Sequence, residues 1–524
     1  MKVAFGHCAV SLKNGRRQEP VVWDSTRLVN GHTLLIGMSG AGKTHTLRRM
    51  IAAMQNQSAG QTRFHIFDVH GDIRISGASE MMYAELTPYG LNPLRVNPDP
   101  HFGGVRKCIQ NFIKTVNKAS PTPLGVKQEA VIRNILLDVY RTHGFNADDP
   151  GTWEVNEAEA QLVSDGSDNR LYLDVPFAEK DAARSLGARW DPAKTLWWIP
   201  ADQYREGITR WLPKTVGRTN PNLGDVIGYA NRLLRLSFMG ADQEAVTRLE
   251  TFSRHAAALT KRQIEAARAG RDSPDPIAQE AMDKARDKAI ESYTRYVNAI
   301  RTGHEFDSLI KYDSTEVLKS VVDRLESLRA TGIFKGASAP FDPDAPVWTY
   351  RLNALRPEEK KMFVLFRLQE IFLNAIQRGE QQTLRDVVVL DEAHLYVDSD
   401  EANILNTLAR EARKFGVAII AANQNADLPD GFLSSLATKI VLGIDEMYWS
   451  KAESKMRIDQ RLLAWVKPRE FMAVQLKEIG STRSDWRWVI LPPPPGESLR
   501  LSPAALAAVP TMRMGASEET KAAA

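Results

Sequence analysis

Cysteine is scarce in this sequence, since its 524 residues include only Cys8 and Cys108. Two cysteines so far apart exclude a disulfide framework, and they lack the close spacing of ligands in a structural zinc site. We therefore expect a protein of a reducing compartment, and a cytoplasmic location fits this composition best.

Long apolar runs and a strong charge imbalance are also absent. No segment approaches the roughly 18 apolar residues of a membrane-spanning helix, and the N-terminus lacks the apolar core of a signal peptide. The 68 Lys and Arg residues are opposed by 64 Asp and Glu, which gives a net charge of +4. Overall charge therefore neither requires nor excludes nucleic acid. We expect no transmembrane segment, although docking onto a membrane-associated secretion complex stays open.

A glycine-rich motif follows a short apolar run near the N-terminus. Residues 33–36 suit a buried strand, and residues 37–44 fit G-x-x-x-x-G-K-[ST] at every fixed position. Such a loop binds polyphosphate, because its glycines let backbone N–H groups face the anionic oxygens. The predicted nucleotide-binding residues are Gly37, Ser39, Gly40, Ala41, Gly42, Lys43 and Thr44. Lys43 would reach the β and γ phosphates of ATP, and Thr44 would ligate Mg²⁺. A chance glycine-rich turn is the alternative, but the helical pattern of residues 44–54 supplies the expected context.

A second buried strand is predicted at residues 63–68, which end in Asp68. The residues after it include His70 and Asp72. Because ligands sit at the carboxyl ends of parallel strands, these three side chains would lie near the phosphates. A plain surface turn is the alternative.

An apolar run late in the chain, residues 386–390, ends in Asp391 and Glu392. A parallel strand buried on both faces has this appearance, and we interpret it as a Walker B strand. Asp391 would hold Mg²⁺, usually through water, and Glu392 would orient or deprotonate the attacking water. Residues 391–394 also spell the box of one helicase superfamily. Those helicases have a second motor domain after the box. Only about 100 residues with a helix or strand pattern follow here, so the order and spacing do not fit that superfamily.

Further candidate catalytic residues follow the Walker B strand. A helix is predicted at residues 401–415, and a strand at 417–422 leads to Gln424, whose amide would contact the γ-phosphate or water; capping of the strand is the alternative. Arg410 and Arg413, near the end of the helix, are candidates for an arginine finger acting on a neighbouring subunit. Arg413 is favoured because it lies nearer the strand end that carries Gln424. Favourable interaction of these cations with the helix dipole is the alternative.

Two insertions are predicted between these motifs. Residues 147–168 read as an acidic linker, and residues 170–213 as a compact unit that holds four of the eleven tryptophans. Its tryptophans and arginines would stack on nucleic-acid bases or form the core of a small domain. Residues 241–301 predict a helical hairpin with a break at 270–276, and its alternating charges favour a solvated surface over a DNA-binding one.

The order of these motifs resembles that of the HerA–FtsK superfamily. The resemblance rests on the glycine-rich loop, residues 68–72, 391–394 and 409–416, and the strand that leads to Gln424. It covers about residues 31–146 and 312–492, and it implies a ring-forming DNA translocase related to the ATPases of conjugation and type IV secretion. The small N-terminal barrel of HerA proteins has no room before Gly31. Residues 170–213 resemble a small domain of unknown function found in plasmid-encoded primases.

The predicted fold class is α/β: a RecA-like P-loop NTPase motor with a mainly parallel sheet, interrupted by a small α+β insertion and a helical hairpin. The predicted divisions are a short N-terminal segment (1–30), the two parts of the ATPase core (31–146 and 313–495), the linker with the Trp-rich domain (147–215), the helical insertion (216–312) and a flexible tail (496–524).

The expected function is Mg²⁺-dependent ATP hydrolysis that drives DNA translocation by a ring, a hexamer as the family implies. The pathway would be conjugative transfer or other mobile-element DNA processing. Two alternatives stay open: an ATP-switched assembly platform of a secretion or anti-phage complex, and a motor partner of a nuclease in DNA-end processing.

Overall fold

The structure of the protein is a computed structural model. It describes residues 1–13, 19–155, 170–173, 175–176, 179–192, 195–200, 203, 208, 211, 218–239, 251–261, 264, 276–299, 311–401, 403–481 and 484–491. The predicted break in the helical hairpin, most of the acidic linker and the predicted tail lie outside these residues. None of the described helices combines the length and the apolar character needed to span a membrane.

The described strands and α-helices are as follows in chain order. The strands are β1 (Lys2–Cys8), β2 (Pro20–Asp24), β3 (Thr33–Ile36), β4 (Arg63–Asp68), β5 (Ser79–Met82), β6 (Arg170–Leu173), β7 (Arg189–Asp191), β8 (Leu196–Pro200), β9 (Val347–Arg351), β10 (Asp386–Leu390), β11 (Val417–Asn423), β12 (Thr438–Val441), β13 (Phe471–Leu476) and β14 (Trp486–Ile490). The helices are α1 (Ala9–Lys13), α2 (Lys43–Ser58), α3 (Val105–Ala119), α4 (Val126–Thr142), α5 (Lys180–Ser185), α6 (Leu223–Met239), α7 (Pro276–Ala299), α8 (Thr315–Ala330), α9 (Pro357–Arg378), α10 (Ile404–Glu411), α11 (Asp430–Ser435), α12 (Trp449–Met456) and α13 (Gln460–Trp465).

The chain divides into two compact units. The first, here called the sheet unit, consists of residues 1–91 and 337–524, and the second, the helical unit, consists of residues 92–336. Residues 92–146, which are predicted as part of the ATPase core, lie in the helical unit. Residues 1–30, which are predicted as a separate segment, supply β1 and β2 of the sheet unit.

The sheet unit is built on an 11-stranded sheet with the order β2-β1-β14-β13-β12-β3-β11-β10-β4-β9-β5. The strands from β12 to β5 are parallel, and those from β2 to β13 pair antiparallel. Every residue of β3, β10 and β11 is buried, which explains their nearly continuous apolar sequences. The prediction of an α/β fold with a mainly parallel sheet is confirmed. Because β3, β4, β10 and β11 are parallel neighbours, the loops after them meet at one edge of the sheet.

The helical unit contains the helices α3 to α8 and a small sheet. Helices α4, α6 and α8 pack together, and α3 packs on α4. Residues 251–261 are helical, and the rings of Phe252 and Tyr293 in α7 lie 5.2 Å apart. The three strands of the small sheet are antiparallel in the order β6-β8-β7. Trp211 is buried in their apolar core, whereas Trp190 is 48% exposed.

Candidate nucleotide-binding site

The glycine-rich loop connects β3 to α2 at the carboxyl edge of the parallel strands. Gly40 and Gly42 have φ angles of 77° and 96°, a left-handed backbone that glycine adopts most readily. Neighbouring strand ends hold the loop, because Gly37 N donates to the Asn423 carbonyl at 3.0 Å and Met38 N donates to the Gly443 carbonyl at 2.8 Å. The predicted strand, loop and helix are therefore present in the order that a phosphate-binding loop requires.

Lys43 and Thr44 open α2 and point to two different partners. Lys43 Nζ donates to the carbonyl of Gly37 at 2.8 Å, which folds the ammonium group back over the loop. Thr44 Oγ1 donates to Asp72 Oδ2 at 3.1 Å. The backbone N–H groups at the start of the 16-residue helix α2 add positive potential at the same place. This loop can hold a polyphosphate.

Three aspartates meet beside Thr44. Asp68 is fully buried at the end of β4, where its carboxylate accepts hydrogen bonds from the backbone N–H groups of Gly71 (2.7 Å) and Ile73 (3.1 Å). This contact shapes the loop that carries Asp72. Carboxylate oxygens of Asp68, Asp72 and Asp391 lie within 4.8 Å of one another. Oxygen atoms from carboxylates and a hydroxyl are the donors that Mg²⁺ prefers, so Thr44, Asp72 and Asp391 fit this ion.

The pKa of Asp391 is raised by burial and by the acidic residues around it. This residue follows β10 and is 6% exposed. Burial, then the negative charges of Glu392, Asp72 and Asp68, raise the pKa of Asp391 to about 6, although His70 acts in the opposite direction. Crowding of like charges without a cation is costly, and a bound divalent cation would relieve it.

Glu392 is held in an unusual backbone conformation. Its φ angle is 52° and its ψ angle 58°, a left-handed conformation that costs about 1–3 kcal/mol for a residue with a side chain. Gln424 Nε2 donates to its Oε1 at 3.0 Å, and Nδ1 of His394 lies 3.4 Å from its Oε2. Burial acts to raise the pKa of Glu392, but these two contacts and the charge of Lys43 outweigh it and lower the pKa to about 2. Glu392 is therefore ionised at neutral pH.

Two histidines lie beside Glu392, and neither is among the predicted catalytic residues. His394 Nδ1 is 2.7 Å from Asn423 Oδ1, and His70 Nε2 is 3.7 Å from Glu392 Oε1. The position of His70 after β4 indicated its proximity to the phosphates. Nothing in the spacing of residues 391–394 indicated that His394 would turn back toward Glu392, because a 3-10 helix at Ala393–Leu395 makes this turn.

The two candidate arginine fingers lie elsewhere. Arg410, in α10, pairs with Glu401 at 3.2 Å, and Arg413 lies in a 3-10 helix, Ala412–Phe415, that precedes β11. Burial, followed by the positive charge of Arg413, lowers the pKa of His32, the residue before β3, to about 4. The seven residues of β11 span roughly 20 Å, with Arg413 before the strand and Gln424 after it, so closeness in sequence does not bring Arg413 to the strand end that carries Gln424. Arg413 therefore lies at the opposite end of β3 from its own chain's phosphate-binding loop.

Comparisons with known proteins find similarity in two parts of the chain. Residues 11–100 match the model of the central domain of helicase HerA, and residues 170–213 match a domain of unknown function, DUF5710. The chain is 34% identical over 82 residues to the DNA double-strand break repair helicase HerA of Pyrococcus furiosus, which is 14% of this chain and 15% of that protein. It is 38% identical over 55 residues to the DNA primase TraC of Escherichia coli, which is 10% of this chain and 5% of that protein. The chain thus spans only a small part of each of these relatives.

A solved structure with a similar fold is VirB4 of Thermoanaerobacter pseudethanolicus. The TM-score is 0.51 at 14% identity, and the match covers 94% of this chain and 96% of that one. At this identity the likeness concerns the fold, which is the predicted P-loop NTPase fold. The resemblance to P-loop ATPases of the HerA–FtsK superfamily, with an inserted small domain of unknown function, is confirmed.

Proposed function

We propose that this protein is a Mg²⁺-dependent ATPase that drives DNA translocation as a homo-hexameric ring, in conjugative transfer or other mobile-element DNA processing. One observation carries the proposal: a phosphate-binding loop, a cluster of three aspartates and an ionised, buried glutamate converge at the carboxyl ends of β3, β4 and β10. Phosphoryl transfer from ATP to water needs these three parts, namely a phosphate cradle, a metal site and a group that positions water.

Each side chain then has a role that its contacts support. Lys43 would leave the Gly37 carbonyl and contact the β and γ phosphates, while Thr44, Asp72 and Asp391 would hold Mg²⁺. Bound there, Mg²⁺ would neutralise charge on the phosphates. Glu392 would orient the attacking water, and Gln424, which donates to Glu392 at 3.0 Å, would fix the carboxylate or contact the γ-phosphate.

If Arg413 is the arginine finger, it would have to act from another subunit. Arg413 is separated from its own chain's phosphate-binding loop by the length of β3, as its proximity to His32, the residue before that strand, indicates. A fixed guanidinium offered across a ring interface is worth about 10³–10⁵ in rate where it operates. We keep Arg413 as the first candidate because its guanidinium has no carboxylate partner among the described residues, whereas Arg410 pairs with Glu401.

The DNA substrate is proposed from the relatives. The HerA protein of Pyrococcus furiosus is named as a DNA double-strand break repair helicase, and TraC is named as a DNA primase. The similarity to HerA falls in the part of the chain that carries the phosphate-binding loop, which supports a shared motor chemistry.

Steady-state ATPase activity with and without duplex DNA tests the proposal, on material whose oligomer size is measured by light scattering. We expect Mg²⁺-dependent hydrolysis, stimulation by DNA and a hexamer. Hydrolysis without stimulation by DNA would favour an assembly platform, and stimulation only after a nuclease partner is added would favour a role in DNA-end processing. A protein that neither binds nor hydrolyses ATP would contradict the proposal.

A further inference from the structure

Arg469 lies beside the phosphate-binding loop in the same chain. A Cβ atom built on Gly42, the residue that caps α2, would be 3.8 Å from Cγ of Arg469. Cγ of the preceding residue, Pro468, would be 3.4 Å from a Cβ atom built on Gly443, whose carbonyl accepts the hydrogen bond from Met38 N in the loop. The turn before β13 therefore holds Arg469 against the loop that is proposed to hold the phosphates.

The local structure of the chain does not explain an arginine at this position. Its φ angle is 69°, a left-handed conformation that is unfavourable for a residue with a Cβ atom and favourable for glycine. The side chain is exposed, and its guanidinium has no hydrogen bond or ion pair with any residue that the structure describes. The arginine thus places an uncompensated cation beside the loop, in a backbone conformation that disfavours it.

We propose that Arg469 is a nucleotide-binding residue, and that its guanidinium contacts the polyphosphate of the nucleotide held by the loop of the same chain. The proposal rests on the proposed function. A planar guanidinium suits phosphate oxygens, which it can contact through two N–H groups at once. Lys43 approaches the loop from the start of α2 and Arg469 from the turn before β13, so two cations would reach the phosphates from different elements. Arg413 lies at the other end of β3, near His32, and would serve a different purpose.

Binding of ATP and of inorganic tripolyphosphate, each with Mg²⁺, tests the contact. Arg469→Gly removes the guanidinium and suits the backbone, so the variant should unfold at a temperature no lower than wild type. We expect it to bind both probes about tenfold more weakly, because a hydrogen bond to a charged group is lost. Arg469→Asn, which also tolerates a left-handed backbone, should show the same loss and serves if the glycine variant folds poorly. The matched control is Arg457→Gly, an exposed arginine with a φ angle of 53° that caps α12, and it should bind both probes as wild type does.

The outcomes separate this inference from the proposed function. If Lys43→Ala abolishes ATP binding while Arg469→Gly and Arg469→Asn bind ATP as tightly as wild type, the contact is refuted and the ATPase proposal stands. If the Arg469 variants lose affinity for ATP but not for tripolyphosphate, the arginine contacts the nucleoside and the phosphate assignment is wrong. If the wild-type protein binds neither probe, both proposals fail together.

Discussion

Replacing Glu392 by glutamine should separate ATP binding from ATP hydrolysis. The substitution keeps the size of the side chain, and a glutamine oxygen can still accept the hydrogen bond that Gln424 Nε2 now donates to Glu392 Oε1 at 3.0 Å. The left-handed backbone at position 392 costs about the same free energy with glutamine as with glutamate. The change therefore removes one negative charge and little else.

The size of the effect follows from the environment of this carboxylate. Positioned acid–base groups contribute about 10²–10⁴ in rate. Because contacts with His394 and Gln424 and the charge of Lys43 lower the pKa of Glu392 to about 2, it is a weak proton acceptor, which favours orientation of water over complete proton abstraction. We therefore expect kcat to fall by about 10², the lower end of that range. The affinity for ATP should stay within about twofold of wild type, since the loop is untouched.

The assay is phosphate release at saturating ATP and Mg²⁺, combined with equilibrium binding of a fluorescent ATP analogue. Glu380→Gln is the matched control, because Glu380 is exposed and lies just after α9, and it should turn over ATP normally. Lys43→Ala should differ from Glu392→Gln by losing tight nucleotide binding, since the positive charge that Lys43 brings to the β and γ phosphates is removed. Turnover by Glu392→Gln at the wild-type rate would show that Glu392 is not the catalytic carboxylate.

Three further predictions follow from other parts of the molecule. Arg413→Ala should form rings and bind ATP normally but hydrolyse it slowly, and mixed rings with Lys43→Ala should exceed both parents, because some sites then pair an intact loop with an intact finger; verified mixed rings with no such gain would rule out action in trans. Binding to duplex DNA should not depend on its sequence, and a plot of log affinity against log salt should fall with a slope of about −0.9 per neutralised phosphate; a flat plot would contradict a DNA motor. Burial and the charge of Arg413 lower the pKa of His32 to about 4, so protonation favours the unfolded chain and stability should fall by about 2 kcal/mol from pH 7 to pH 5. In urea denaturation His32→Gln should flatten this dependence, and equal slopes for the two proteins would show that His32 is not its source.

The centre of the fold could be predicted because its signals are local. Strands β3, β10 and β11 are largely apolar, β4 alternates apolar with polar residues, and polar or glycine-rich residues of recognisable chemistry follow each of the four. The pairing at the other end of the sheet could not be predicted in this way. Cys8 of β1 pairs with Val489 of β14, and no short-range pattern indicates that strands from the two ends of the chain are neighbours.

The division of the chain was harder to predict for a related reason. Residues 105–116 and 128–140 carry helical periodicity, and α3 and α4 include these residues. Periodicity gives the apolar face of a helix but does not identify the element against which that face packs. In the structure α4 packs with α6 and α8, and α3 packs on α4; these contacts assign both helices to the helical unit.

In the candidate site, too, local sequence patterns do not indicate which residues are neighbours in space, because residues that act together need not be close in sequence. Gln424 and Glu392 are 32 residues apart and make a hydrogen bond, since parallel strands β10 and β11 are neighbours and both end at the same edge. Arg413 and Gln424 are much closer in sequence, yet an extended strand separates them by roughly 20 Å. A stretch of α-helix of the same length would separate them by only about 10 Å. The type of the intervening element therefore decides whether a cation can reach its own chain's phosphates. By this criterion the turn before β13, which places Arg469 beside the loop, supports the proposal that Arg469 acts on its own nucleotide, and the position of Arg413 before β11 supports the proposal that Arg413 acts on another subunit's.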